Sequence, residues 1–303
     1  MNNVVGIVDI RQSPQWAEYL QALGWSSLRT SKNINIEHRK TLFGTMVKIQ
    51  KPPALSEEDL KEIEQICLKH RAIFIKIEPY LGQDVTIFDR LGYEISWFPL
   101  SPTATYLIDL RLSETDLWNK ISHSAKYSVH RAQREGARVK IYRKPETAIL
   151  QDYYEVLKYT GRIKKLYVPP FKHFMKQVAA FGDNGHLVMV YNKDNVLCGA
   201  KWHVIFGDMV LYVSGGTSEI GRDDKSGYEL LWKSILYFKS LGLKIYDLEG
   251  KDDKRFPNFT KRWGGFSHFK EKFGGQAIEF PHPRVKYIGP LAKFFHKVVG
   301  FNV

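Results

Sequence analysis

The sequence predicts an α/β (α+β) protein built as two modules of similar size, and three observations carry that expectation. Helix-period and strand-period segments alternate through both halves of the 303 residues. The breaks between them hold turn residues such as Gly24, Pro79, Phe206-Gly207-Asp208 and Gly242. A content of 44% hydrophobic and 25% charged residues suits a chain that buries a core in each module.

In order, Gln15 to Leu23 reads as a helix closed by Gly24. Ser56 is placed to cap the next helix, with Asp59 three residues on, and Leu60, Ile63, Ile66 and Cys67 form its inner face. Ala72 to Ile77 is a mostly buried strand despite Lys76, Thr105 to Leu110 is another, and Ser113 caps the helix that opens Glu114 to Lys126. In the second half Pro145 opens a helix through Tyr159, and Phe171 to Phe181 forms another. His186 to Asn192, Cys198 to Phe206 and Met209 to Ser214 read as successive strands, followed by a helix from Tyr228 to Leu241 and a strand from Lys244 to Leu248. This order places one module at residues 1–143 and a second at 144–283, with no sequence repeat visible between them. The tail, 284–303, is expected to form a helix packing back on the first module. From Pro290 onward Leu291, Phe294, Phe295, Val298 and Val299 share one face, which suits docking on a domain or lying in a membrane interface.

Lys plus Arg exceed Asp plus Glu by 45 to 32, a formal net charge of +13. That excess favours an anionic partner: RNA, a phosphorylated precursor or an acidic membrane face. Two basic stretches contribute. Lys126, Arg131, Arg134, Arg138 and Lys140 alternate with Ile121, Ala125, Val129 and Ala132 at helical spacing, which reads as a solvated helix face or a phosphate-tracking one. Arg162, Lys164 and Lys165 with Tyr167 lie between two helices, where loops tend to carry binding groups. Cys67 and Cys198 sit in apolar patterns and read as buried small hydrophobes rather than a disulfide framework. The N-terminal residues lack the pattern of a signal peptide and no apolar run is long enough to span a bilayer, so a cytoplasmic location is expected, with peripheral contact at the inner membrane face left open.

Several chemistries find no motif. There is no Gly-x-Ser-x-Gly elbow, no phosphate-binding P-loop and no His-Glu-x-x-His, so neither a serine nucleophile nor a metal is expected. The acetyl-CoA loop of ordinary N-acetyltransferases is also missing, because Arg222 to Gly227 has the wrong spacing, and no cofactor is expected. What stands out is Ser267 to Gly275, Ser-His-Phe-Lys-Glu-Lys-Phe-Gly-Gly, about twenty residues after Tyr246-Asp247-Leu248-Glu249-Gly250. It sets Lys270 among aromatics and glycines, where an ammonium group loses hydration and can be aimed at a developing oxyanion.

In combination the landmarks resemble the Fem-type (FemABX) aminoacyl transferases of the peptidoglycan bridge. They are Gln15-Trp16-Ala17, Ile75-Lys76-Ile77-Glu78-Pro79, Lys126 to Ala132 followed by Glu135-Gly136-Ala137, Gly215-Gly216-Thr217 before Tyr228, the Tyr246 to Gly250 run, and Phe269-Lys270. The resemblance implies two tandem GNAT-like (acyl-CoA N-acyltransferase-like) modules with mixed sheets, the first on the acceptor side and the second catalytic. The armless form is the closer model, since no sustained heptad run exists. The implied reaction moves an amino acid from aminoacyl-tRNA to an amine on the stem peptide of a nucleotide- or lipid-linked peptidoglycan precursor.

By the same resemblance Lys270 falls at the family's essential lysine, with Phe269 beside it. Tyr228 matches a tyrosine lining the site, Glu78 replaces an aspartate, and Tyr246 joins the substrate-binding set. Glu18 and Pro169 stand where a lysine and an arginine hold precursor phosphates, and His173 and Ile73 where tyrosines stand. Arg162, Lys165 and Lys172 are the cations that could take over those contacts. Two alternatives stay open at this point, a tRNA-independent N-acyltransferase and a non-catalytic basic RNA-binding protein.

Overall fold

The computed structural model describes residues 8–289 and residue 292. The elements run α1 (Pro14–Ala22), β1 (Ser26–Arg29), β2 (Asn35–Thr41), β3 (Gly44–Gln50), α2 (Glu57–Lys69), β4 (Ala72–Glu78), α3 (Thr86–Arg90) and β5 (Glu94–Ile95). They continue with β6 (Ala104–Asp109), α4 (Glu114–Lys120), α5 (His123–Arg134), β7 (Arg138–Tyr142), α6 (Thr147–Lys164), α7 (Phe171–Phe181), β8 (Gly185–Tyr191), β9 (Leu197–Phe206) and β10 (Met209–Thr217). Last come α8 (Glu219–Asp223), α9 (Ser226–Ser240), β11 (Ile245–Asp247), α10 (Pro257–Thr260), α11 (Gly264–Glu271), β12 (Gln276–Glu279) and β13 (Arg284–Tyr287).

The described residues form two compact units, one from the stretch up to 103 together with that from 279 onward and the other from 104–278. The sequence boundaries at 143 and 283 differ from these, because Ala104–Asp109 pairs with β11 and so belongs to the second unit. Likewise the tail expected to be helical from 284 contains a strand: Arg284–Tyr287 pairs antiparallel with both β4 and β5. The amphipathic face expected from Leu291 to Val299 lies outside the described residues.

In the N-terminal unit the sheet order is β1-β2-β3-β4-β13-β5. The β1–β3 strands pair antiparallel, while β3 and β4 are parallel and joined through α2. Helix α2 forms where the sequence places it: Ser56 and Asp59 make a reciprocal capping box, and Leu60, Ile63 and Cys67 are buried against the sheet with Ile49, Ile75 and Ile77.

The second unit orders its strands β12-β6-β11-β10-β9-β8-β7. From β8 to β11 and on to β6 the pairing repeats that of the other sheet: two antiparallel contacts, one parallel contact, then an antiparallel partner brought from a distant stretch of chain. A duplicated plan invisible in residue identities is therefore present in topology. The core beneath α9 and α5 is built from Ile108, Leu117, Val129, Val210, Leu231, Ile235, Phe238 and Leu248. Both cysteines are free and buried.

Candidate active site

The Ser267–Gly275 motif folds as the end of α11 and the turn after it. Phe266, Phe269 and Phe273 recur at helical spacing, so Lys270, adjacent to Phe269, turns inward with them and is only 6% exposed. Gly274 stops the helix at φ +71, and a Cβ there would lie 2.5 Å from the Lys120 carbonyl oxygen, so glycine is required.

The Asp247–Gly250 turn receives the lysine. Asp247 Oδ1 accepts the Thr105 hydroxyl at 2.5 Å and the Glu249 amide at 2.8 Å. That fixes a turn in which Glu249 (φ 40) and Gly250 (φ 79) are both left-handed. Their carbonyls consequently face Lys270, whose Nζ donates to Glu249 O and, at 3.1 Å, to Gly250 O. An ammonium has three N–H bonds, so one is left to meet a ligand. The rings of Phe266 and Tyr212 lie 4.6 and 5.2 Å from Nζ. Burial pushes the Lys270 pKa down to about 8, against the opposing pull of Glu249 and Asp247.

A second lysine, which the sequence reading passed over, completes the site. Lys201 lies in β9, where every residue from Cys198 to Val204 is buried. Its side chain shares a sheet face with His203 and Ile205, the face covered by α9. An irregularity at Val213 sets Tyr212 opposite His203 and Gly215 opposite Lys201. A Cβ at Gly215 would sit 2.5 Å from Ala200 O and 2.8 Å from Tyr212 Oη, so glycine is what lets the strands close with the tyrosine in place. Lys201 Nζ lies 4.0 Å from the Tyr212 ring centre and 5.3 Å from that of Phe269. Burial, reinforced by repulsion from Lys270, pushes its pKa down to about 7. The available signal was a lysine at the centre of an otherwise apolar strand, two residues from a histidine.

The strand pairing ends beside these groups. Only Met209–Leu211 of β10 pairs with β11, and β10 then runs on to Thr217 without that neighbour. The gap begins at Tyr212, next to the turn that holds Lys270.

The other expected residues divide. Tyr228, at the start of α9, packs edge-on against Phe269 at 4.9 Å and accepts from Lys272 Nζ at 3.4 Å, so Tyr228, Phe269 and Lys270 are brought together. Tyr246, expected as a substrate contact, lies under the lysines. It is fully buried, with Oη 2.6 Å from His203 Nε2, and supports the site from beneath. Burial holds His203 well below the usual histidine range, hence neutral. Glu78, also expected as a substrate contact, belongs to the N-terminal unit. Its Oε1 accepts the Leu100 and Ser101 amides at 2.5 and 3.0 Å, and Oε2 accepts Ser101 Oγ at 2.6 Å and Gln50 Nε2 at 3.1 Å. These bonds occupy the carboxylate in holding the 100–101 loop.

The helix expected to end at Tyr159 continues to Lys164, which puts Arg162 and Lys164 in its last turn and Lys165 at its left-handed cap (φ 53). Arg162 and Lys165 are exposed, as is Lys172 in the first turn of α7, where His173 is half-buried. They line the α6–α7 connection. In α5, Ala125, Val129 and Ala132 are buried and Arg131 pairs with Glu135, which fits the solvated-face reading of that basic stretch. A depression of 520 Å³ lined by Lys140, Tyr142, Asp152, Tyr191 and Asn195 contains none of the expected site residues.

No protein-family model matches this sequence, and no curated protein matches it. The structure does have relatives in fold. The class is two GNAT-like modules in tandem: the tandem GNAT protein of the clavulanic acid biosynthesis pathway superposes with a TM-score of 0.52 at 9% identity, covering 85% of this chain and 79% of that one. Within that class the fold is of the Fem type. FemX superposes with a TM-score of 0.80 at 15% identity over 96% of this chain and 94% of its own. The C-terminal domain of an Agrobacterium fabrum protein named for lysylphosphatidylglycerol synthesis gives 0.64 at 14% identity, covering 96% and 93%.

Proposed function

We propose that the chain is a Fem-type aminoacyltransferase that moves an amino acid from the ester of an aminoacyl-tRNA to an amine on the stem peptide of a peptidoglycan precursor. The observation that carries this reading is the pair of buried lysines, Lys201 and Lys270, against the Tyr212 ring beside the β10–β11 gap. Desolvating two like charges is costly, and such groups gather where chemistry uses them.

Their environments divide the work. Lys270, hydrogen-bonded to two carbonyls and mostly charged at neutral pH, stabilises the oxyanion. Lys201, with a pKa of about 7, is suited to accept a proton from the attacking amine. The amine nitrogen bonds to the ester carbonyl carbon and the carbonyl electrons move to oxygen. On collapse the bond to the ribose oxygen breaks, and the proton held by Lys201 passes to that leaving oxygen. The acceptor brings its own nucleophile and the donor ester is already activated, so the step needs neither a protein nucleophile nor a cofactor. Tyr228 and Phe269 wall the acyl group. The +13 charge favours a polyanionic donor. Arg162, Lys165, Lys172 and His173 are the candidates to hold phosphates of a nucleotide- or lipid-linked acceptor.

The test is transfer of a labelled amino acid from tRNA to purified precursor. Wild type should form the amide, and a folded Lys270→Met variant should keep tRNA affinity while losing roughly 100-fold or more in rate. Transfer by that variant at the wild-type rate would sink the reading. Acyl transfer without charged tRNA would instead mark an N-acyltransferase with another donor, and RNA binding without turnover a binding protein.

A further inference from the structure

The β2–β3 connection is a two-residue hairpin turn, a position that ordinarily takes Asn-Gly or Asp-Gly. Here it is Leu42-Phe43, 99% and 85% exposed, the two most exposed large hydrophobic residues described. The tip is held in shape. Thr41 Oγ1 donates to Gly44 O at 2.7 Å and accepts the Phe43 amide at 3.3 Å.

Beneath the tip lies a cationic collar. Arg39 and Lys40 are exposed on β2, and Lys69, His70 and Arg71 are exposed where α2 passes into β4. The two stretches are tied through β3: Thr45, paired opposite Lys40, donates its amide to Arg71 O at 3.0 Å and its Oγ1 to His70 O at 2.7 Å. Leu68, 57% exposed, adds apolar surface beside the collar. No Asp or Glu occurs between His38 and Val47 or between Gln65 and Ile73.

We infer that this hairpin is a membrane-docking tip, Leu42 and Phe43 entering the acyl boundary of an anionic phospholipid surface while the collar meets its headgroup phosphates. The dimensions agree. At roughly 3.4 Å per strand residue, Arg39 and Lys40 trail the tip by about 7–10 Å, the depth to which interfacial apolar groups sink. Nucleic acid would satisfy the cations but leave the aliphatic Leu42 in water. The inference stands apart from the proposed reaction, since the hairpin belongs to the N-terminal unit and contains none of the site residues.

The experiment is co-sedimentation of the full chain with vesicles of phosphatidylcholine alone or mixed with phosphatidylglycerol. The wild type should bind the anionic vesicles, less so as salt rises, and bind the neutral ones weakly. L42S/F43S should lose about tenfold or more in affinity per apolar side chain removed, and K40E/R71E about fivefold or more per charge. Because Cys67 and Cys198 are buried, an L42C variant can carry a single environment-sensitive dye, and its emission should shift to the blue on anionic vesicles. Equal binding by wild type and L42S/F43S, or a dye that stays in water on bound protein, would overturn the inference. So would loss of tRNA binding in L42S/F43S with vesicle binding intact, which would assign the tip to RNA. Melting curves confirm that these surface variants are folded, and aminoacyl transfer to a soluble acceptor should be unchanged in them.

Discussion

Lys201 and Lys270 approach the same ring: their Nζ atoms lie 4.0 and 5.2 Å from the centre of Tyr212, one lysine arriving from the sheet and the other from α11. Lys270 is anchored by backbone carbonyls, whereas Lys201 rests against aromatic faces. The same burial therefore leaves one group better able to keep its proton than the other.

This difference sets a pH profile. Lys201 must be neutral to take a proton and Lys270 charged to stabilise an anion. The rate should rise as pH passes about 7 and fall as it passes about 8. Measuring kcat/KM against pH checks this, and Lys201→Met should remove the rising limb. A rising limb that survives in that variant would take the base role away from Lys201.

The same substitution should stabilise the protein. A lysine whose folded pKa lies below its unfolded one binds fewer protons when folded, so stability increases with pH between about 7 and the ordinary value of 10.5. Lys201→Met abolishes that penalty, which is largest at and below neutrality. Its melting temperature should exceed wild type by several degrees at pH 6, with the gap narrowing as pH rises toward 10.

Asp247 acts on the site through the turn and through its charge. Asp247→Asn should leave the hydrogen bonds to Thr105 and Glu249 largely replaceable while removing a charge that raises the Lys270 pKa. The falling limb of the pH profile should move to lower pH with little change in substrate KM. An unmoved limb would mean that the falling side belongs to another group.

Glu78 holds the 100–101 loop through its carboxylate. Glu78→Ala leaves the Leu100 and Ser101 amides without their acceptor and should destabilise the protein by about 1.5–3 kcal/mol in urea unfolding. Transfer per folded molecule at low temperature should remain near wild type.

Gly216 illustrates a landmark whose reason lies in packing. It lies beyond the strand expected to end at Ser214, yet it sits in β10, where an added Cβ would be 2.8 Å from Thr160 Cβ and 3.0 Å from Val156 O of α6. Gly216→Ala should cost about 1–3 kcal/mol, read as a lower urea midpoint, because the helix must move off the sheet.

Local features were the legible ones. The Ser56 and Ser113 caps, the α2 inner face and strand β4 depend on neighbours within a few residues, and all form as the sequence indicates. Strands β1 to β3 were not read, since the outer half of β2, Arg39-Lys40-Thr41, is exposed and shows no alternation. Lys270 could be found because its aromatic setting is contiguous in sequence. Lys201 could not be found that way, because Tyr212, Gly215 and Phe269 reach it only through strand pairing and the packing of α11. Tyr246 and Glu78 resembled ligand contacts in a linear motif, yet the partners that occupy them, His203 and Ser101, come from elsewhere.

Strand β13 lies between β4 and β5, so a strand made after every other strand described in either sheet is interior to a sheet whose other members are made first. While the ribosome is still extending the chain, the exposed edge of Ala72–Glu78 must wait, hydrogen-bonding groups open, until residue 287 has emerged. A nascent chain in that condition is exposed to mispairing and to chaperones while everything between Ile95 and Arg284 is made, and a nonsense codon anywhere before Arg284 would leave the first-made sheet unclosed.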